Sequence, residues 1–401
     1  MAVIQLSPTV LRVGHPIPVA LRDAAGHLLV PRGTMLTSEL QRQQLIARGV
    51  YVDANDSEQF RKALAGKLDS MLRSNALLGQ MAKAVPDAID CATPVAARHR
   101  VSNPVAAWNG VMLHASALLH EPPQGDFATR VHKLDREVLE LLDADPDASL
   151  LTLIHGTTSE LHQYSVTHAL LVTAVCELAA RHLAWPADWR PSMRRAALTM
   201  NIAMTTLQDQ LAMQDTPVTP RQRAVIDAHA SRAATQMREL GIDDELWLQA
   251  VEHHHASPPG PLEQLPPMLQ LARLIQRADI FAARLSPRKM RQAMPATAAA
   301  KAAYLDEHQK ADEAGAAIIK GVGIYPPGSY VRLASNEVAV VLRRGPRANE
   351  PKVASIVSKS GTPLGEPAVR DIRLKAHEIT GGVAPHDVKL RLNLERLLQL
   401  A

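Results

Sequence analysis

A mainly α protein with a small β module at each end is the fold class this sequence predicts, and three observations carry that expectation. Aromatic residues make up only 3% of the 401. Ala, Leu, Val, Ile and 13 Met therefore fill most of a 46% hydrophobic fraction, which suits close helix–helix packing better than a broad β-sandwich. From about residue 147 to 320 one helical pattern follows another, whereas strand-like alternation is confined to residues 1–55 and to the stretch after Gly321. The length predicts two or three domains, and 21% charged residues is ordinary for a folded chain.

Residues 1–55 read as a β-rich module. Short strands over Thr9–Val13, Ile17–Leu21 and His27–Pro31 are separated by turn residues at Gly14-His15-Pro16 and Asp23-Ala24-Ala25-Gly26. Thr37 and Ser38 can cap a helix over Glu39–Arg48, Gly49 stops it, and Val50-Tyr51-Val52 returns as a strand. Residues 56–146 form a helical spacer or subdomain, broken at Pro86, Pro94, Pro104 and Pro122-Pro123. Its strongest amphipathic helix carries Val131, Leu134, Val138, Leu139, Leu141 and Leu142 and ends near Asp145-Pro146. The main helical domain spans 147–320. A β-cap and tail occupy 321–401, with strands over Tyr330–Leu333, Val338–Leu342 and Val353–Ser358 and a Leu-rich end over Val388–Leu400.

Charge excludes some function classes. A net +4 is too small to imply nucleic-acid binding, although the basic excess is uneven. From Arg284 onward there are 19 basic and 11 acidic residues, leaving a net −4 for residues 1–283. Cys91 and Cys176 lie far apart and make no metal or disulfide framework, which points to a reducing compartment. The N-terminus lacks a signal-peptide pattern, and no apolar run reaches membrane-spanning length, so a cytoplasmic protein without a membrane partner is expected.

The chemistry concentrates in histidines. His168 falls in a helix from about 160 to 183, and His229 in a helix started by Thr219-Pro220. His253 and His254 end a helix running from Asp243, and Asp279 lies in a helix over Met268–Leu285. Helices that each direct an imidazole or carboxylate inward can build a metal site in a bundle. A solitary histidine is more often a surface or hydrogen-bonded core residue; the ordered set carries the signal.

That order resembles the HD-GYP family, a branch of the HD-domain metal-dependent phosphohydrolases. The stretch Ala272-Arg273-Leu274-Ile275-Gln276-Arg277-Ala278-Asp279-Ile280-Phe281 is similar to the family's Asp-bearing helix. Ser286-Pro287-Arg288-Lys289-Met290-Arg291 stands where the family has Ser-x-Arg-Pro-Tyr-Arg, and Gly323–Val331 is similar to the strand entry that follows its bundle. The resemblance covers roughly residues 150–345. It implies an HD-like helical bundle, two or three iron or manganese ions, and hydrolysis of the cyclic dinucleotide cyclic di-GMP. Such ions polarise a phosphate and lower the pKa of a bound water.

The sequence departs from the family at its defining positions. The His-Asp pair is replaced by Met200-Asn201, and the Lys three residues on by Met204. A thioether is a poor ligand for a hard divalent ion, and an amide cannot replace a bridging carboxylate. After His253-His254 the family continues with Glu and an Asp-Gly turn into Gly-Tyr-Pro, where this chain has His255-Ala256-Ser257-Pro258-Pro259-Gly260-Pro261. The usual two-metal hydrolysis is therefore not expected. The remaining ligands leave two alternatives. One is a single iron, manganese or zinc ion on His229, His253 and His254, with His168 and Asp279 left from another position; the other is a relict pocket whose histidines bond one another or water.

Other motifs carry less. Met193, Met200, Met204 and Met213 read as core filling, Met200 and Met204 sharing a helical face. The basic loop Arg343-Arg344-Gly345-Pro346-Arg347 reads as a solvated turn, and phosphate-cradling Gly-rich loops are missing. Arg284, Arg288 and Arg291, at helical spacing, either pair with nearby acids or hold an anion such as a cyclic dinucleotide. The leading expectation is a bacterial signalling protein with a degenerate HD-GYP-like domain that acts by binding a ligand or a partner protein. Its rival is a divergent single-metal phosphodiesterase; self-association is left open.

Overall fold

The computed structural model describes residues 103–159 and 163–401 throughout. Before residue 103 it describes 3–5 and 11–53, with 12, 14–16, 18, 25, 31–33 and 35 excepted. The breaks expected at Pro86 and Pro94, Cys91 and most of the expected strand Thr9–Val13 lie outside the described residues. The chain divides into two compact units, Met1–His99 and Arg100–Ala401.

In the first unit, β1 (Val3–Gln5), β2 (Leu21–Arg22), β3 (Leu28–Val30) and β4 (Tyr51–Asp53) form an antiparallel sheet in the order β1-β4-β2-β3. Helix α1 (Glu39–Ala47) starts where Ser38 Oγ accepts from the Gln41 N–H and ends before Gly49, whose φ of +75° suits glycine. Leu11, Ile17, Val19, Leu21, Leu36, Leu45, Val50 and Val52 make its core. The strand expected over Ile17–Leu21 is only entered at Leu21. Ile17 and Val19 still reach the core, so burial and strand pairing part company there.

The second unit is the helical bundle with its cap. Helices α2 (Pro104–His120) and α3 (Phe127–Ala144) are followed by α4 (Pro146–Ser159), α5 (Tyr164–His182) and α6 (Trp189–Thr199). Then come α7 (Thr205–Met213), α8 (Pro220–Glu239), α9 (Glu245–Glu252), α10 (Pro267–Leu285), α11 (Ala296–Tyr304) and α12 (Glu313–Val322). Helices α2 and α3 share one continuous apolar core with those that follow: Trp108, Val111, Val131 and Val138 pack in the same cluster as Leu170, Trp247 and Phe281.

Helix α5 is the axis, with every side chain from Tyr164 to Ala180 buried. A helix can be buried all round only if its polar groups find partners inside. Glu177, fully buried, meets Arg181, Arg190 and Arg194, and Arg194 also reaches Asp135 at 2.6 Å. Two close approaches tighten the bundle. A Cβ on Gly321 would come within 2.8 Å of the Leu178 carbonyl oxygen, and one on Gly315 within 2.2 Å of that of Ala303, so α12 reaches α5 and α11 only through glycine.

The cap is a five-stranded antiparallel sheet in the order β8-β7-β6-β5-β9: β5 (Tyr330–Leu333), β6 (Val338–Arg343), β7 (Lys352–Val357), β8 (Pro363–Arg370) and β9 (Ile379–Val383). The three expected strands are present. Strands β8 and β9 were not expected, because Gly365, Pro367, Gly381 and Gly382 weaken their local signal. They are made by pairing with β7 and β5. Helix α13 (Leu394–Leu400) and the apolar residues Val388, Leu390 and Leu392 before it cover one face of the sheet.

The basic loop differs from its expected solvated role. Arg343 pairs with Asp145 at 2.9 Å and Arg344 with Asp147 at 2.5 Å, tying the cap to the start of α4; only Arg347 remains at the surface. No helix among the described residues is long and apolar enough to cross a membrane.

Candidate metal centre

Five elements bring the candidate ligands to one region of the bundle. Helix α5 supplies His168. Helix α8, started by a capping box in which Thr219 and Gln222 satisfy each other's backbone and by Pro220 at its first position, supplies His229. Helix α9 and the turn after it supply the histidine run, and α10 supplies Asp279. The 3-10 turn Ile202–Met204 packs against α8.

His229 and His254 are buried, and each uses Nδ1 on a backbone carbonyl of its own turn: His229 on Ile226, and His254 on Val251 at 2.6 Å. A carbonyl only accepts, so Nδ1 carries the proton in both rings and Nε2 carries a lone pair. Those two Nε2 atoms face each other at 3.1 Å, and His255 Nε2 lies 3.3 Å from His229 Nε2. Two lone pairs at that distance repel unless a proton or a cation lies between them. A shared proton is disfavoured: burial, then the neighbouring His255, push the His254 pKa down to about 3, and burial also lowers that of His229. A cation is what the arrangement fits. Imidazole nitrogens about 2.05 Å from a tetrahedrally bound ion stand roughly 3.3 Å apart, close to the spacing seen here. The backbone carbonyls behind the rings are the outer partners that orient metal-ligating histidines.

The converging pair is His254-His255, rather than the expected His253-His254. The α-helix ends at Glu252, His253 caps it with its N–H on Gln249, and the Ala256 N–H closes a turn on His253 at 2.7 Å. His253 is left exposed at the helix end, and the next two residues, freed from helical 100° spacing, both turn toward His229. His255, at the position where the resemblance leads one to expect an acidic residue, supplies the third imidazole.

His168 and Asp279 meet each other. His168 Nε2 bonds Asp279 Oδ1 at 2.7 Å, while its buried Nδ1 has no partner among the described residues. Burial opposes the Asp279 charge, but the His168 hydrogen bond and charge, with His254 and His255 beyond, hold its pKa down to about 2. Tyr164, four residues before His168 on the same helix, stacks on it at 5.6 Å with the rings 8° from parallel. Sequence reasoning passed over Tyr164; its i, i+4 spacing from His168 was the available signal.

Met200 and Met204 do not share a helical face as expected. Helix α6 stops at Thr199, Met200 caps it with its side chain buried in the core, Asn201 begins the turn, and Met204 is half-buried in the 3-10 segment. The arginines depart from helical spacing too. Helix α10 ends at Leu285, so Arg284 is exposed in its last turn while Arg288 and Arg291 bracket a tight turn through reciprocal backbone hydrogen bonds of 2.8 and 2.9 Å. Among the described residues no carboxylate pairs with either Arg288 or Arg291. Arg288 lies 4.7 Å over the Tyr164 ring and donates to its hydroxyl at 3.0 Å; Arg291 donates to the carbonyls of Ala283 and Ser286.

No family model matches the chain. A curated relative, a cyclic di-GMP phosphodiesterase of Pseudomonas aeruginosa, is 25% identical over 204 residues, 50% of this chain and 49% of its own length. The chain thus spans about half the length of the curated relative it matches. A solved HDG"Y"P protein of Bdellovibrio bacteriovorus is 12% identical with a TM-score of 0.40, over 80% of this chain and 99% of that one. With the order of ligand residues along α5, α8, α9 and α10 and the curated relative in agreement, the helical domain is related to the HD-GYP family.

Proposed function

We propose that the helical domain is a degenerate HD-GYP domain that holds one divalent ion, iron, manganese or zinc, on His229, His254 and His255. In this reading it serves signalling by binding a ligand or partner, a cyclic dinucleotide among the candidates, rather than by two-metal hydrolysis. The observation that carries it is the facing of three imidazole Nε2 atoms, two of them left unprotonated because Nδ1 of the same ring donates to a backbone carbonyl, in a chain whose Met200-Asn201 offers no bridging carboxylate. Met200 is buried as a helix cap, and the Asn201 amide carries no charge with which to bridge two cations. His168 and Asp279 are engaged with each other, so they hold one another's orientation instead of presenting two free ligand atoms.

A second reading keeps chemistry at this centre. Three histidine ligands leave an ion with an open position, the arrangement of catalytic rather than structural zinc sites. A bound ion there would supply Lewis acidity toward a phosphate oxygen and a lowered water pKa. The chain's own contribution would be Asp279, whose carboxylate stays ionised above about pH 2 and can orient a donor.

Metal titration followed by a phosphodiesterase assay tests both. The expected result is one ion per chain and no turnover of cyclic di-GMP with manganese or iron. Turnover that disappears in His254→Ala establishes the single-metal hydrolase instead, and failure to bind any of the three ions leaves only a relict pocket.

A further inference from the structure

Of the three imidazoles that converge, two are aimed by their own helical turns and the third is not. His229 and His254 are buried with Nδ1 on a backbone carbonyl. His255 is exposed, and among the described residues its ring meets the other two histidines while no carbonyl accepts from its Nδ1. A metal-ligating imidazole needs something behind it to fix its direction. For His255 that task falls to the backbone, which means to how the turn His253–Ala256 is held at its two ends. One end is α9 itself, where the His253 N–H donates to the Gln249 carbonyl at 3.0 Å. The other end leaves the turn at Ser257.

Ser257 is gripped from helix α10. Gln276 Nε2 donates to Ser257 Oγ at 3.2 Å, and the Ser257 hydroxyl donates in turn to the Glu307 carboxylate. Glu307 is fixed by Arg277, whose Nη2 lies 3.1 Å from both of its oxygens. A buried guanidinium is costly without partners, and Arg277 finds a second one in Asp312 at 3.3 Å, the residue that caps α12 through the Gly315 N–H. The grip continues along the loop, because Arg273 Nη1 donates to the Gly260 carbonyl at 2.8 Å. Between these two anchors, Pro258 and Pro259 have fixed φ and no N–H, and Pro258 restricts Ser257 before it to extended backbone. A stiff segment pinned at Ser257 and Gly260 leaves the histidine turn little freedom at its exit. Gln276 and Arg277 lie one turn before Asp279 on α10, so the turn and that carboxylate are referred to the same helix.

We propose that Ser257 is a positioning residue for the metal centre: clamped by Gln276 and by the Arg277–Glu307 pair, it fixes the exit of the turn and so directs His255 Nε2 onto the ion shared with His229 and His254. The inference rests on the reading of these three imidazoles as ligands of one ion. Ser257 is not itself a ligand and acts through the backbone of Ala256, which joins it to His255.

Chelator competition for zinc on the full chain tests this, with the visible absorption of the cobalt(II)-loaded chain as a second readout of the ligand set. Ser257→Ala should weaken zinc binding about tenfold and shift the cobalt bands as water takes the place of the third imidazole. Ser257→Thr, which keeps the hydroxyl, should restore both. Ser257 is exposed, so thermal unfolding in EDTA should be the same for the native chain and both variants. Native zinc affinity and an unchanged cobalt spectrum in Ser257→Ala overturn the positioning role and leave the metal centre standing. Equal loss in Ser257→Ala and Ser257→Thr, or a lowered unfolding temperature of Ser257→Ala in EDTA, overturns it by placing the effect in the fold. Failure of the native chain to bind either ion overturns the reading of the metal centre, and this inference with it.

Discussion

The Nε2 atoms of His229 and His254 face each other at 3.1 Å, each ring keeping its proton on Nδ1, which donates to a carbonyl of its own helical turn. Neither nitrogen can donate to the other, so the contact is a place for a cation rather than a hydrogen bond. Substitution of His254 or His255 by Ala should reduce metal occupancy from one ion per chain to near zero. His253→Ala should keep it, because His253 points away as the cap of α9. Elemental analysis of the purified variants checks this, and loss of metal in His253→Ala would restore the pairing expected from sequence.

Removal of metal should expose an acid sensitivity. His254 titrates near pH 3 when folded and at 6.5 otherwise, so below pH 6.5 the unfolded chain takes up a proton that the folded chain refuses. Stability should therefore fall as pH drops from 6.5 toward 3, by about 2 kcal/mol between pH 7 and 5 from this group alone. Asp279 works at the lower end: its folded pKa of about 2 lies below the ordinary 3.8, and the stability it confers above 3.8 is lost as pH falls through 2. Urea midpoints measured in EDTA across pH 7 to 4 should slope less in His254→Gln than in the native chain.

Glu177 should be among the least replaceable residues of the bundle. It is fully buried against three arginines; burial opposes its charge, but Arg190, Arg194 and Arg181 hold its pKa below the usual carboxylate value. Glu177→Gln removes the one carboxylate that Arg181, Arg190 and Arg194 share, leaving Asp135 as the buried partner of Arg194, and should cost about 3–5 kcal/mol. Chemical denaturation provides the number, and a loss under 1 kcal/mol would show that Asp135 alone balances Arg194.

Gly321→Ala should destabilise by about 1–3 kcal/mol without changing any polar contact. The added methyl would meet the backbone of Leu178 and Ala179, which cannot rotate away, and would push α12 off the central helix. Gly125→Ala is a useful comparison. Its added Cβ meets nothing within 4 Å, so its cost reflects only a φ of +78°. Thermal unfolding of the two variants separates steric from backbone strain.

Much of this molecule was legible along the chain. Periodicity and caps placed the helices of His168, His229 and Asp279 within a few residues, since Thr219-Pro220 and the apolar spacing of Met268–Leu285 act locally. The order of histidines pointed to the resemblance to the HD-GYP family, and Met200-Asn201 stands where that resemblance leads one to expect its defining pair. Tertiary structure decided the rest. Which two histidines of three converge depends on the residue at which α9 stops unwinding, and a shift of one position turns a side chain by about 100°. The arginines lost their helical spacing because α10 ends at Leu285, and β8 and β9 exist only because β7 and β5 offer hydrogen-bonding edges. Local sequence sets the propensity of each segment. The meeting of His229 with His254 and of Arg343 with Asp145 depends on contacts between residues far apart in the chain, which no local pattern encodes.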